Sequence, residues 1–291
     1  MKRSLFFGLY AAPPRLLRIM LPILPFAVAI AAYLVASHLR LVENPADKLL
    51  PSLAQMGHKF LELAIGRPEG GQSMLDVIGH SNLLNDTLAS LERLLTGVAL
   101  ASTTGLLVGV NMALFPGMRA TALNFVTFCS NIPAITLLPV ILIVFGVGDT
   151  SKVVLIFAGT VFLITRDIFL TTVAVPREQV VKACTLGASQ LEVVYRVILP
   201  QVLPRLIDST RIALGAAWIF LITAEAIASQ EGLGYRIFLM RRYLGMDGII
   251  PYVAWISIIA YSMDRTLVSL MRRQFPWYQV SGEQKQHGGR S

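Results

Sequence analysis

Runs of about twenty mainly apolar residues, each long enough to cross a bilayer as a helix, recur along this 291-residue chain. A backbone facing lipid must satisfy its own hydrogen bonds, so a chain patterned in this way folds as helices. About six such windows stand out, at residues 19–38, 88–114, 120–146, 152–172, 206–228 and 249–270. Only 14% of the residues are charged and 55% are hydrophobic, whereas a soluble domain carries about 25% charged residues. The expected fold is therefore all-α, a polytopic membrane protein with about six transmembrane helices. The third window is the least regular. It contains Asn131, Pro133 and Pro139, and prolines in a helix free backbone carbonyls that something else must satisfy. Broken helix at membrane depth is tolerated where it packs on protein or lines a cavity. Asn131, Pro133 and Pro139 are thus candidates to line a pathway, with a plain proline kink as the competing reading.

A net charge of +8 raises the question of nucleic acid. The Lys and Arg residues flank apolar runs instead of forming a basic face interleaved with aromatics, so the partner is the lipid bilayer and no nucleic acid is expected. Lys2, Arg3, Arg15 and Arg18 place residues 1–18 in the cytoplasm, and the run beginning at Ile19 is too long for a cleaved signal. The polar stretch at residues 40–86, with Pro45, Pro51, Pro68 and the pair Gly70-Gly71, then lies outside. Residues 173–205, which carry Arg177, Lys182, Arg196 and Arg205, return inside, as do Arg272 and Arg273. The transmembrane body ends near residue 278, and the tail at 279–291 is polar and Gly-rich, a composition that does not fold alone. Arg236, Arg241 and Arg242 break the rule, falling outside with Glu231 and Asp247 as partial counter-charges. Either they bind something there or they lie in a re-entrant segment.

Chemistry of its own is not expected from this chain. Cys129 and Cys184 offer no disulfide framework, and the isolated His38, His58, His80 and His287 have no metal-ligand spacing. No GxxxxGK[ST] phosphate loop is present, and the stretch at residues 146–152 lacks both its glycine spacing and its Lys-Ser/Thr order. Gly146-Val147-Gly148-Asp149 is expected to be a turn between spans.

The inner loop is the most informative segment. Pro176 followed by Arg177 and Glu178 reads as a helix start and Gly187 as its stop, after which a short amphipathic run from Leu191 to Leu199 ends at Pro200. Two short helices bent at a glycine make a knob that fits a groove on a soluble partner. The loop resembles the cytoplasmic signature of binding-protein-dependent ABC importer permeases: Glu-Ala-Ala, three residues, Gly, nine residues, Ile-x-Leu-Pro. Val181, Lys182 and Ala183 take the first three positions, Gly187 the glycine, Val197 the isoleucine, and Leu199 and Pro200 the last pair. The Thr-Leu-Gly-Ala-Ser run, which includes Ala188 and Ser189, resembles the nitrate, sulfonate and taurine branch. Further matching strings begin at about Leu50 and include Ala224-Glu225 and Gly232-Leu233-Gly234-Tyr235.

The resemblance implies a type I importer permease of the bacterial inner membrane. It further implies coupling to a cytoplasmic ATP-binding cassette ATPase through residues 181–183, 187–189, 197, 199 and 200. ATP and Mg would be bound by that partner, a soluble binding protein would deliver solute outside, and a second permease subunit, expected to be an identical copy, would complete the pathway. The sequence departs from the signature at its acidic corner, where Val181 and Lys182 stand, so an acidic residue is expected opposite Lys182 on the ATPase. Strings such as Arg241-Arg242-Tyr243-Leu244 resemble a subgroup associated with urea or guanidine metabolism, which offers a small nitrogenous solute beside the oxyanions.

Ionisable groups inside spans are functional candidates by default. Glu225 is the clearest, read either as a pathway or gate residue or as a carboxylate paired with Arg236. Among Arg166-Asp167, Asp208 with Arg211, and Asp264-Arg265, only Asp208 and Arg211 have the i,i+3 spacing for a local pair. Asn111 and Asn131 are expected to hydrogen-bond across helices, with contact to solute as the competing reading. Gly105-x-x-x-Gly109 and Ala213-x-x-x-Ala217 allow close helix approach, within the chain or between copies. An ion-coupled carrier or channel using Glu225 or Asp264 is the alternative function, but it has no need of the inner loop.

Overall fold

A computed structural model describes residues 15–44, 47–65 and 81–278. The expected N-terminal segment before residue 15, part of the outer loop and the polar tail lie outside the described residues. Among the described residues every regular element is helical. In chain order these are α1 (Arg15–Glu43), α2 (Leu53–Ile65), α3 (Asn82–Leu114), α4 (Pro116–Ser130), α5 (Leu138–Phe145), α6 (Asp149–Val173), α7 (Arg177–Thr185), α8 (Gln190–Val193), α9 (Leu199–Ala228), α10 (Leu233–Arg241) and α11 (Met246–Gln274).

Among the described residues five helices are long and apolar enough to span a membrane, and the pair α4 and Ala134–Phe145 makes a sixth if taken as one broken span. That pair is bent by 91°. The break is built from its own sequence: Pro133 is extended, Ala134–Leu137 forms a single tight turn, and Pro139 sits in the first turn of α5, where its missing N–H would have had no partner. Ile132 N donates to Cys129 O at 3.1 Å and Thr136 N to Pro133 O at 2.9 Å, so the bend satisfies its own backbone.

The bundle core is α3 packed on α6 and α9. Glycine makes the close approach. A Cβ placed on Gly97 would lie 2.7 Å from Ile156 Cγ2, one on Gly105 2.8 Å from Ile164 Cγ2, and one on Gly109 2.8 Å from the Thr165 carbonyl. The small-residue spacing of α3 is therefore used inside the chain, against α6. Ala213 and Ala217 of α9 are likewise buried, the latter among Leu94, Val98, Ile156 and Leu221. By contrast α1 is almost bare. It is held at its outer end, where Tyr33 Oη donates to Pro51 O at 2.7 Å and Ser37 Oγ to Leu50 O at 3.0 Å.

The second inner-loop run does not stop at Pro200, as its sequence suggests. It continues through a wider, π-type turn at Val194–Ile198 directly into α9, with Leu199 N donating to Val194 O. Proline cannot supply an N–H to the preceding turn, and Pro200 falls in the first turn of α9, so the widened turn absorbs the missing bond instead of ending the helix.

Candidate functional site

Local chemistry shapes the inner knob. Helix α7 ends in a left-handed residue, Gly187 at φ +86°, with Gly187 N on Cys184 O and Ala188 N on Ala183 O, both at 3.0 Å. This is the two-bond glycine stop that satisfies the last carbonyls of a helix. Ser189 then opens α8 with a reciprocal cap: its Oγ accepts from Glu192 N at 3.3 Å while Ser189 N donates to the Glu192 carboxylate at 2.9 Å. Val193 and Ile198 are buried, and Ala183, Ala188 and Val197 pack against them, which seats the knob on the bundle. Gln201 Nε2 reaches Gln179 Oε1 at 2.8 Å and ties α7 to α9.

What remains faces outward. Leu186 is 88% and Leu191 70% exposed, and Val181, Lys182 and Tyr195 are exposed beside them. The structure thus brings together Val181, Lys182, Ala183, Gly187, Ala188, Ser189 and Val197 in one protrusion. Leu199 and Pro200 lie at its root as the first turn of α9.

Immediately behind the knob, an ion-pair chain crosses three helices. Arg205 pairs with Asp167 at 2.8 Å, Arg211 with Asp208 at 2.9 Å, and Arg211 with Asp264 at 2.8 Å. The i,i+3 pair expected from sequence is there, and Asp167 and Asp264 find partners on α9. Asn111 and Asn131 do not bond across helices: each side chain donates at 2.7 Å to a carbonyl one turn back in its own helix, Leu107 O and Thr127 O respectively. Asn131, Pro133 and Pro139 all lie exposed on the bend between α4 and α5.

The other end of the bundle holds a second polar constellation, and most of it escaped the reading of the sequence. Arg93 of α3 is 4% exposed and its guanidinium meets three carboxylates: Asp149 at 2.7 Å through Nε, Glu225 at 2.8 Å through Nη1 and Glu231 at 2.9 Å through Nη2. Glu225 is fully buried and also accepts from Ser90 Oγ at 2.8 Å and from Gly234 N at 2.8 Å. Lys152 bonds to Asp149 and to Ser229 Oγ, each at 3.0 Å. One helical face of α3, carrying Asp86, Ser90 and Arg93, makes these contacts; opposite charges seven residues apart at the head of an apolar window were the available signal.

Glu225 does not pair with Arg236, the partner its position suggests. Arg236 instead meets Asp86 at 2.7 Å. The cause lies in the turn between them: Gly232 at φ +116° passes so close to Glu225 that a Cβ would lie 2.5 Å from its carboxylate, and the turn's N–H groups fill that side. Gly232 N and Leu233 N bond to Asp86 and Ser90, both at 2.9 Å. Burial opposes the charge of Arg236, but hydrogen bonding to Asp86 and its charge outweigh this and hold the Arg236 pKa above the ordinary arginine value. Beside the cluster opens a cavity of about 660 Å³ lined by Arg93, Asp149, Lys152, Ser229, Gln230 and Glu231. Asp149 and Glu231 keep more than half of their side-chain surface exposed, while Arg93 and Lys152 are buried. Gly146-Val147-Gly148-Asp149 forms the turn into α6, as expected. Among the described residues no group of three or more His, Cys, Asp or Glu side chains is placed to hold a metal ion.

The helical bundle thus carries an apolar knob at one end and a largely buried polar cluster at the other. The family described as "Binding-protein-dependent transport system inner membrane component" matches residues 101–275, and the chain belongs to it. More narrowly, it is a multi-pass inner-membrane permease of the nitrate, sulfonate and taurine branch of ABC importers. It is 32% identical over 229 residues to the taurine transport system permease protein TauC of Escherichia coli (strain K12), covering 79% of this chain and 80% of the relative. The nitrate import permease protein NrtB of Synechococcus elongatus is 28% identical over 196 residues, covering 65% and 69%. Among solved structures, inward-facing conformations of the MetNI methionine ABC transporter match with a TM-score of 0.58 at 21% identity, over 66% of this chain and 95% of that one. That likeness supports the fold.

Proposed function

We propose that this permease moves a small polar solute inward, from a soluble extracytoplasmic binding protein to the cytoplasm, driven by a separate ATP-binding cassette ATPase that holds the ATP and Mg. The observation that carries the reading is the knob built around Gly187, whose capped and seated backbone leaves Leu186 and Leu191 facing solvent. Apolar side chains presented on a fixed helical protrusion suit a groove on a soluble partner. Val181, Lys182, Ala183, Ala188 and Ser189 form the contact region, Val197, Leu199 and Pro200 anchor it to α9, and Lys182 seeks an acidic residue on the ATPase. Two copies of the chain enclose the pathway, with Asn131, Pro133 and Pro139 of the bend and the Glu225 cluster as its lining and outer support. An ion-coupled carrier using Glu225 or Asp264 would leave the knob without a purpose, and both carboxylates are held by arginines, Glu225 by Arg93 and Asp264 by Arg211.

The relatives named for taurine and nitrate support a small sulfonate or oxyanion as the solute. A second reading, a small nitrogenous solute such as guanidinium or urea, is favoured by one feature: the outer cavity presents the carboxylates of Asp149 and Glu231 to solvent while its cations are buried. Calorimetric titration of the solute-binding protein encoded beside the permease decides between them. Binding of taurine, a sulfonate or nitrate supports the first reading; binding of guanidinium or urea alone replaces it with the second.

A further inference from the structure

We infer that the chain holds one phospholipid with a zwitterionic, primary-ammonium headgroup, of the phosphatidylethanolamine type, between α2 and the first turns of α11, at the end of the bundle opposite the knob. Such a site requires only that the chain spans a membrane, and it is independent of the solute carried and of the ATPase.

At about 100° per residue, Gln55 and Lys59 fall on one edge of α2, and Leu53, Met56, Gly57 and Phe60 on the other. Each edge lines its own cavity against α11. The first, of about 270 Å³, is polar and sits at the head of α11, with Asp47, Lys48, Gln55, Lys59, Tyr243 and Asp247 in its walls. The second, of about 410 Å³, is apolar and has Leu53, Met56, Phe60, Ile250, Pro251 and Ile258 in its walls. Its α11 wall at residues 250–258 lies about 5–16 Å further along that helix than Asp247, a step that fits one leaflet of a ~30 Å hydrocarbon core. The cavities are thus side by side on α2 but stacked in depth on α11, so α2 lies across α11 as an interfacial helix does.

The polar cavity carries uncommitted charge of both signs. Asp47 and Lys59 are balanced by Arg40 at 3.2 Å and Glu62 at 3.0 Å. Lys48 is exposed and Asp247 half-buried, and neither has an ion-pair partner among the described residues. A free ammonium and a free carboxylate in the walls of one cavity complement the phosphate and the ammonium of a single zwitterion, and the Tyr243 ring offers the ammonium a further face. Phosphatidylglycerol brings no cation to Asp247. The quaternary ammonium of phosphatidylcholine brings charge but no N–H to donate, whereas a primary ammonium brings three.

Gly57 points to an acyl chain beneath that headgroup. It stands inside α2, where glycine is the poorest helix former after proline. The glycines of α3 earn their place through close helix contact, but a Cβ on Gly57 would meet nothing within 4 Å. What the missing side chain does is keep the apolar cavity open. The wall of that cavity is held in place, since Trp255 Nε1 donates to Thr87 Oγ1 at 3.0 Å and the Trp255 ring meets that of Phe60 at 6.0 Å. An apolar slot of fixed shape, one step deeper than a charged cavity of mixed sign, matches the two levels of a phospholipid.

The test is native mass spectrometry of the purified full-length permease complex, incubated in detergent with equal amounts of phosphatidylethanolamine, phosphatidylglycerol and phosphatidylcholine of matched acyl chains. The wild type should retain one phosphatidylethanolamine per permease chain and prefer it to either competitor by about tenfold, the factor expected of one charge-assisted hydrogen bond. Gly57→Leu, which has room for its side chain and favours the helix, should lose the retained lipid while its thermal midpoint without added lipid holds or rises. Asp247→Asn should keep the fold and lower the preference for phosphatidylethanolamine over phosphatidylglycerol about tenfold. Equal retention of the three lipids by the wild type, retention by Gly57→Leu at the wild-type level, or an unchanged preference in Asp247→Asn overturns the inference. So does thermal protection by soluble phosphoethanolamine equal to that by the lipid, which would assign the polar cavity to a free zwitterion.

Discussion

The two ends of the bundle solve opposite problems with the same kinds of residue. At the outer end, Arg93, Glu225, Asp86 and Ser90 are buried and nearly every polar atom has a partner on another element. At the inner end, α7 and α8 satisfy their own backbone through Gly187 and Ser189 and then leave their apolar side chains in solvent. A saturated network fixes α3, α9 and the turn at Gly232 relative to one another, because opening it strands a buried charge. The knob is internally rigid and externally unsatisfied, which is the condition of a surface awaiting a partner. The comparison teaches that the buried polar chemistry of a permease need not sit where a partner is proposed to bind: the ion pairs hold the frame, and the proposed contact is an apolar loop.

Substitutions at the two ends should separate these roles. The largest effect is expected from Arg93→Ala, which leaves Glu225 buried without its cation and should cost ~3–5 kcal/mol of stability, read as a lowered thermal midpoint in detergent; a midpoint equal to wild type would mean the outer end is not a clamp. Gly187→Val forces a branched side chain into a left-handed backbone at a local cost of ~1–2 kcal/mol. It should abolish transport-coupled ATP hydrolysis while membrane insertion and yield persist, so a fully coupled variant would remove the functional contrast between the ends. Asn111→Ala sharpens the comparison from the other side. Its side chain serves only a carbonyl of its own helix, and stability should move by no more than about 0.5 kcal/mol; a larger loss would show that α3 carries a third polar contact region.

Much of the inner end was legible in the sequence because it is local. A glycine stop acts over three or four residues, so Gly187 announced its own geometry; the Ser189-x-x-Glu192 cap is equally local but was not read from the sequence. The bend at Pro133 and Pro139 was legible for the same reason. The outer end was not, because its partners are 132 and 138 residues apart for Arg93 with Glu225 and Glu231, and nothing local says which carboxylate an arginine will meet. Glu225 was singled out by its apolar surroundings, yet its pairing with Arg93 instead of Arg236 depends on how the Gly232 turn threads between α3 and α9. Pro200 misled for a different reason: proline signals a stop only when the preceding turn cannot widen, and here Val194–Ile198 does.

The account turns on the knob being the seat of an ATPase. The direct measurement is the amount of ATP-binding cassette ATPase that co-purifies with the permease in mild detergent, wild type against a Leu186→Asp, Leu191→Asp double variant. Stoichiometric ATPase on the wild type and its loss from an equally well-folded variant is the predicted result; equal ATPase on both, or none on either, would contradict it.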